Sequence, residues 1–409
     1  MTVTIDLIRK IQADFKGAIV PTPTVPASRL SQLAGADVFL KLENLQHTAS
    51  FKVRGALAKL LSLDAASRKR GVIAMSAGNH AQGVAFHCQR LAVPATIVMP
   101  KATPFTKVER TSALGARVLL HGDQLSEAAA FAHATAKAEG LTFIHPYDDD
   151  LVIAGQGTVA LEMLAAQPDL DAIVVPIGGG GLIAGIATAA KAINPSIRVF
   201  GVQVAAYAAM ANHVHGHTAA VIGGTTLAEG IAVKEPSERT GRIIKALVED
   251  VMLVSEPAIE RAVNLLLTEA KIVAEGAGAA ALAALLGETG RFRGMRVGLV
   301  VSGGNIDARV LASILLRGLA RDGRIARLRV EIIDVPGMLA RVAAAIAAAG
   351  GNVVEIHHHR LFQDVPVTRT DLDIVVETRN AAHLQEIIRR LEADGLAVRI
   401  LGNTASDGA

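Results

Sequence analysis

The feature that most constrains this chain is a repeating pattern: short, almost wholly apolar runs end in glycine-rich turns and give way to helical patterns. The run over 71–75 leads into Ser76-Ala-Gly-Asn-His80, with a helix expected over 81–91. The run over 95–100 is followed by a helical pattern over 104–114, and 116–120 and 141–144 continue the alternation. The run over 171–175 meets Gly178-Gly-Gly-Gly181 and a further helix, and 198–203 and 296–301 are additional strands. Strands apolar at nearly every position, alternating with helices, imply an α/β fold whose parallel sheets are covered on both faces.

A chain of 409 residues calls for two or three domains. Its character changes after about residue 320, where 318–327 is polar and glycine-bearing and reads as a linker centred on 321–326. A strand is expected over 328–333, a turn at Asp334-Val-Pro-Gly337 and a helix over 338–349. Strands over 353–362 and 368–377, a helix over 381–393 and a strand over 396–401 complete a βαββαβ, ferredoxin-like unit spanning 327–402.

Composition removes several function classes. The net charge is +3, and basic and acidic residues are interspersed without the cluster a nucleic-acid binder needs. No apolar run reaches bilayer-spanning length without a glycine or a charge, so no membrane role is expected. The opening MTVTIDLIRKIQADF carries charges throughout, unlike a secretory leader. The single cysteine, Cys88, excludes an intrachain disulfide, fits a cytoplasmic location, and reads as a small buried side chain on a helix.

Four segments have residue types suited to chemistry. In Ser50-Phe-Lys-Val-Arg-Gly-Ala56, Lys52 sits between apolar neighbours ahead of a helix. Held in an apolar pocket it would be a neutral amine able to form a Schiff base; otherwise it is a surface lysine. Ser76-Ala-Gly-Asn-His80 is a strand-to-helix turn, either an anion-binding helix start or a plain cap. Gly178, Gly179, Gly180, Gly181 and Leu182 form a strand–loop–helix junction where backbone can approach a phosphate, or a tight structural turn. About twenty residues on stands Arg198 with no carboxylate, and no Lys-Ser/Thr pair ends the loop, so a phosphate monoester is favoured over a dinucleotide or ATP. Ser302-Gly-Gly-Asn305 follows the strand ending at Val301, and its hydroxyl can meet a ring nitrogen or merely close a turn.

Together with Ala154-Gly-Gln-Gly-Thr158 and Glu275-Gly-Ala-Gly-Ala279, these segments stand in the order and spacing of one family. Over residues 5–320 the chain resembles the fold-type-II, tryptophan-synthase-β-like pyridoxal-phosphate enzymes, and most closely the threonine/serine dehydratases. The resemblance implies a catalytic domain over 1–320, with 45–150 as a smaller nested subdomain. It implies pyridoxal 5'-phosphate bonded to Lys52 beside Phe51, with Asn79 at the ring oxygen and Ser302 at the pyridine nitrogen. Gly178, Gly179, Gly180, Gly181 and Leu182 would hold the phosphate, and Ser76, Ala77, Gly78, Asn79 and His80 the substrate carboxylate. The implied reaction is β-elimination and deamination of L-threonine to 2-oxobutanoate and ammonia, and of L-serine to pyruvate, as the first step of isoleucine biosynthesis. A neutral serine at the ring nitrogen weakens the electron sink, which favours loss of the β-hydroxyl over transamination. The C-terminal unit resembles an ACT domain through Val330-Glu-Ile-Ile-Asp-Val-Pro-Gly-Met-Leu-Ala-Arg-Val342. That implies a homodimer or homotetramer and feedback control by isoleucine or valine.

Serine racemases share most of these motifs but have serine where this chain has Ala77, and an alanine transfers no proton. Other β-hydroxy-amino-acid lyases remain an alternative, as does an inactive sensor, against which Lys52, Asn79 and Ser302 argue. The racemase relatives bind a divalent cation through acids where this chain has Gln203 and Ala209, so no metal is expected. His357-His358-His359 on a strand point to alternate faces and cannot converge, and His213, His215 and His217 read as surface loop. Glu275 lies beside the ring or simply caps a glycine turn.

Overall fold

The computed structural model describes residues 2–359 and 369–402. It divides into two compact units, 1–306 and 307–409. The first contains two sheets. The larger runs in the order Thr24–Pro26, Asp37–Leu42, Arg296–Val301, Ala172–Pro176, Arg198–Val204, Asp250–Val254. All neighbours are parallel except Thr24–Pro26, which pairs antiparallel with Asp37–Leu42. The smaller is fully parallel, in the order Arg117–Leu120, Ala95–Met99, Val72–Met75, Thr142–Phe143.

Burial explains the uninterrupted apolar strands. Every residue of Ala172–Pro176 and Ala95–Met99 is buried, because helices cover both faces. The main core gathers Ile8, Leu57, Ile153, Val159, Ile173 and Ile183. Helices Asp150–Ala166 and Gly181–Ile193 pack without intervening side chains, since a Cβ on Gly185 would fall 2.2 Å from the Ile153 carbonyl oxygen. That close approach lies one turn into Gly181–Ile193, just beyond the glycine loop.

The second unit contains a four-stranded antiparallel sheet ordered Asn352–His359, Arg369–Glu377, Ile325–Ile333, Ala397–Ile400. Helices Met338–Ala348 and Ala381–Ala393 complete the expected βαββαβ order. Along Ile325–Ile333 burial alternates, and Leu328 and Val330 pack with Val342, Ile346, Leu372 and Ile387. Positions 360–362 and 368 of the expected strands lie outside the described residues.

Two expectations change. The units part at 306/307, so helix Ala308–Arg321, expected with the catalytic domain, groups with the C-terminal unit. The stretch 318–327 is not an extended linker: it is the end of that helix, a short turn through Gly323 at φ +64°, and the first residues of Ile325–Ile333. Charged residues there masked an alternation already begun at the buried Ala326. No helix among the described residues is long and apolar enough to cross a membrane.

Candidate active site

The main chain ties Lys52 to the Ser302 loop. Ser50 forms an antiparallel bridge with Gly303, and the Phe51 N–H donates to the Ser302 carbonyl at 3.2 Å. Lys52 then opens helix Lys52–Leu61. Its amine donates to the Pro146 carbonyl at 3.0 Å and lies 5.1 Å from the Phe51 ring centroid. Burial brings its pKa down to about 8, opposed by the charge of Glu275. An amine this close to neutrality is readily freed of its proton and becomes a nucleophile.

The same helix is anchored by a buried charge cluster that the motif contained without disclosing. Arg54 donates to both oxygens of Glu43 at 2.8 Å, to Glu162 at 2.6 Å and 2.8 Å, and to Thr158 Oγ1 at 3.0 Å. Lys41 donates to Glu162 at 2.5 Å and to the Thr22 carbonyl at 2.6 Å.

Asn79 begins helix Asn79–Leu91 directly after the turn that leaves Val72–Met75. Its Nδ2 donates to Glu275 Oε1 at 2.7 Å, and its Oδ1 accepts from Asn305 Nδ2 at 2.8 Å. Glu275 makes no capping bond to the helix that follows it, so the cap reading fails; its N–H donates to the Gly303 carbonyl at 3.1 Å. Burial pushes its carboxyl up to about 7, against the stabilising Asn79 bond. A Cβ on Gly303 would stand 2.6 Å from Glu275 Oε1, so a side chain there would push the Glu275 carboxyl from its place beside Asn79.

The turn itself is partly spent. The Gly78 N–H donates to Ser76 Oγ at 3.2 Å, and His80 Nε2 lies 2.9 Å from the Ile144 carbonyl oxygen. Burial, then the Lys52 charge, brings the His80 pKa down to about 3, so the ring is a neutral core group. What the turn offers an anion is therefore main-chain N–H from the first helical residues, which have no intrahelical acceptor.

Gly180 adopts φ +89°, a left-handed conformation glycine allows, and its successor starts helix Gly181–Ile193. Thr240 Oγ1 donates to the Gly179 carbonyl at 2.7 Å, and Leu182 sends its side chain into the main core. A Cβ on Gly179 would lie 2.4 Å from the Tyr147 ring. Bare backbone at a helix start, with no room for side chains, suits a phosphate. Ser302 is 3% exposed, and its hydroxyl has no partner among the described residues. A weakly basic amine, a glycine cradle and an unengaged hydroxyl are a donor set that fits a phosphorylated pyridine aldehyde.

One contributor was not expected. The stretch 145–149 reaches Lys52 through the Pro146 carbonyl and the cradle through Tyr147. Its only visible signal was a proline between two aromatic-type rings beside an acidic run. Elsewhere, Gln203 is buried and bonded to main chain, accepting from the Ala211 N–H at 2.9 Å. His213 and His215 lie in helix Ala209–His215 rather than a loop, and His215 pairs with Asp250 at 3.0 Å. His357 Nε2 lies 2.8 Å from Glu355.

The profile of the pyridoxal-phosphate dependent enzyme family matches residues 15–303. The chain belongs to that family. Its cofactor is pyridoxal 5'-phosphate. An ACT-domain profile matches residues 322–394. An L-threonine ammonia-lyase from Thermotoga maritima is 42% identical over 401 residues, covering 98% of this chain and 100% of that one. The processed form of threonine deaminase isoform 2 from Solanum lycopersicum is similar in structure, with a TM-score of 0.72 and 35% identity over 76% of this chain and 86% of its own. Maize serine racemase has a TM-score of 0.73 and 32% identity over 78% of this chain and 99% of its own. These matches bear out the expected fold-type-II catalytic fold and the ACT unit.

Proposed function

We propose that the protein deaminates L-threonine to 2-oxobutanoate and ammonia, and L-serine to pyruvate, with the chemistry in 1–306. The observation that carries this reading is the half-buried Lys52 amine, which has no carboxylate bonded to it among the described residues and is tied through Phe51 to Ser302. Lys52 would hold the cofactor covalently, Gly178, Gly179, Gly180, Gly181 and the Leu182 N–H would receive its phosphate, and Asn79 and Ser302 would address its ring. When bound, pyridoxal phosphate would supply an electrophilic carbon for the substrate amine and an electron sink for Cα.

The chain's own residues do the rest. Helix-start N–H groups of the 76–80 turn hold the substrate carboxylate. The freed Lys52 amine takes the Cα proton as general base. Ser302 offers a neutral hydroxyl, and the Glu275–Asn79–Asn305 chain fixes the amide that meets the ring oxygen. Ala77 has no proton to transfer from the opposite face, which favours elimination over racemisation. Steady-state 2-oxo-acid formation from threonine and serine tests the assignment; turnover confined to interconversion of serine enantiomers would refute it.

The ACT domain supports control by a small amino acid, isoleucine or valine, and with it a role in isoleucine synthesis in the cytoplasm by a homodimer or homotetramer. If neither amino acid shifts the threonine saturation curve, this regulatory part fails.

A further inference from the structure

Lys52 and the glycine cradle come from distant parts of the chain, yet one short turn touches both. After strand Thr142–Phe143, the Pro146 carbonyl accepts from the Lys52 amine at 3.0 Å. The Tyr147 ring lies against Gly179, where a Cβ would be 2.4 Å away, and its backbone lies against Gly181 at 3.0 Å from a Cβ there. Asp149 then accepts from Lys59 at 2.5 Å and caps helix Asp150–Ala166 through the Leu151 and Val152 N–H groups. The turn is closed by one side chain. His145 Nδ1 accepts from the Asp148 N–H at 2.7 Å and the Tyr147 N–H at 3.3 Å, and its ring stands edge-on to Tyr147 at 4.7 Å.

We infer that His145 is a positioning residue: by closing this turn it holds the Pro146 carbonyl against the Lys52 amine and the Tyr147 ring against the cofactor's phosphate cradle. The inference rests on the cofactor placement proposed above. Accepting two N–H groups at Nδ1 requires an unprotonated nitrogen there. Burial, only partly offset by Asp148, brings the ring's pKa down to about 4, so it stays neutral in the working range. Tyr147 acts through the bulk of its ring; its hydroxyl has no partner among the described residues.

The test compares His145→Leu and His145→Asn, reading cofactor Kd by absorbance titration, the position of the visible cofactor band, and kcat and KM separately. Loss of two hydrogen bonds in His145→Leu should raise the cofactor Kd about tenfold and shift the band. An asparagine carbonyl closes the same kind of turn, so His145→Asn should return to within about threefold of wild type. Unchanged Kd and band in His145→Leu, or equal impairment in His145→Asn, would overturn the inference. If His145→Leu does not fold, His145→Asn decides alone: near-wild-type Kd supports the role, and a tenfold rise refutes it. A wild-type enzyme with no visible band would instead remove the cofactor placement itself.

Discussion

Lys41 and Lys52 lie eleven positions apart, the first fully and the second partly withdrawn from water, and meet opposite partners. Lys41 has a carboxylate at 2.5 Å and a second at 3.9 Å. Lys52 has a neutral carbonyl at 3.0 Å. Burial lowers both pKa values; at Lys41 the Glu43 and Glu162 charges and a Glu162 bond pull back, whereas at Lys52 Glu275 alone does, and the value falls to about 8. The same side chain is thus structural where acids hold its charge and reactive where a dipole leaves the charge unsupported.

The largest effect should separate these roles outright. Lys52→Ala should lower kcat by ~10⁴-fold or more while leaving the denaturation midpoint nearly unchanged, because covalent and base functions vanish together. Arg54→Leu should do the reverse in character. It strands Glu43 and Glu162 without their main cation, so chemical denaturation should show a loss of about 3–5 kcal/mol. Removing Lys41 with Lys41→Met should also destabilise, and cofactor still bound to the folded fraction would sharpen the contrast.

This asymmetry explains what could be read from the sequence. The glycine loops and Asn79 were legible because each is a local strand–turn–helix junction. Strand Asp37–Leu42 was not, since Lys41 interrupts an apolar run and is tolerated through the Thr22 carbonyl, Glu43 and Glu162, the last more than a hundred residues away. Strand Asp250–Val254 was also missed: it pairs at the sheet edge and leaves Leu253 about half exposed. Arg54 stood in a recognised motif, but its partners come from three other segments, at Thr22, at Glu43 and in helix Asp150–Ala166. His145 and Tyr147 matter through contacts with Lys52 and Gly179 that no spacing rule reveals.

Smaller changes probe the surroundings of Lys52. Gly179→Ala should force the Tyr147 ring outward and weaken cofactor binding by about tenfold, measured by absorbance titration, with little change in fold. Glu275→Gln addresses the one acid that supports the Lys52 charge. Glu275 has its pKa raised to about 7 in the folded protein, so the folded state binds the extra proton between roughly the ordinary carboxyl range and that value. Its stabilising contribution is present at lower pH and is lost as pH rises through about 7. The melting temperature of the cofactor-free protein, relative to Glu275→Gln, should therefore fall as pH rises over that window.

Borohydride reduction of the holoenzyme followed by peptide mapping bears most directly on which of the two lysines is reactive. The expected product is a phosphopyridoxyl group on the peptide containing Lys52 and none on that containing Lys41. Label on Lys41, or on no lysine of the chain, would contradict the account.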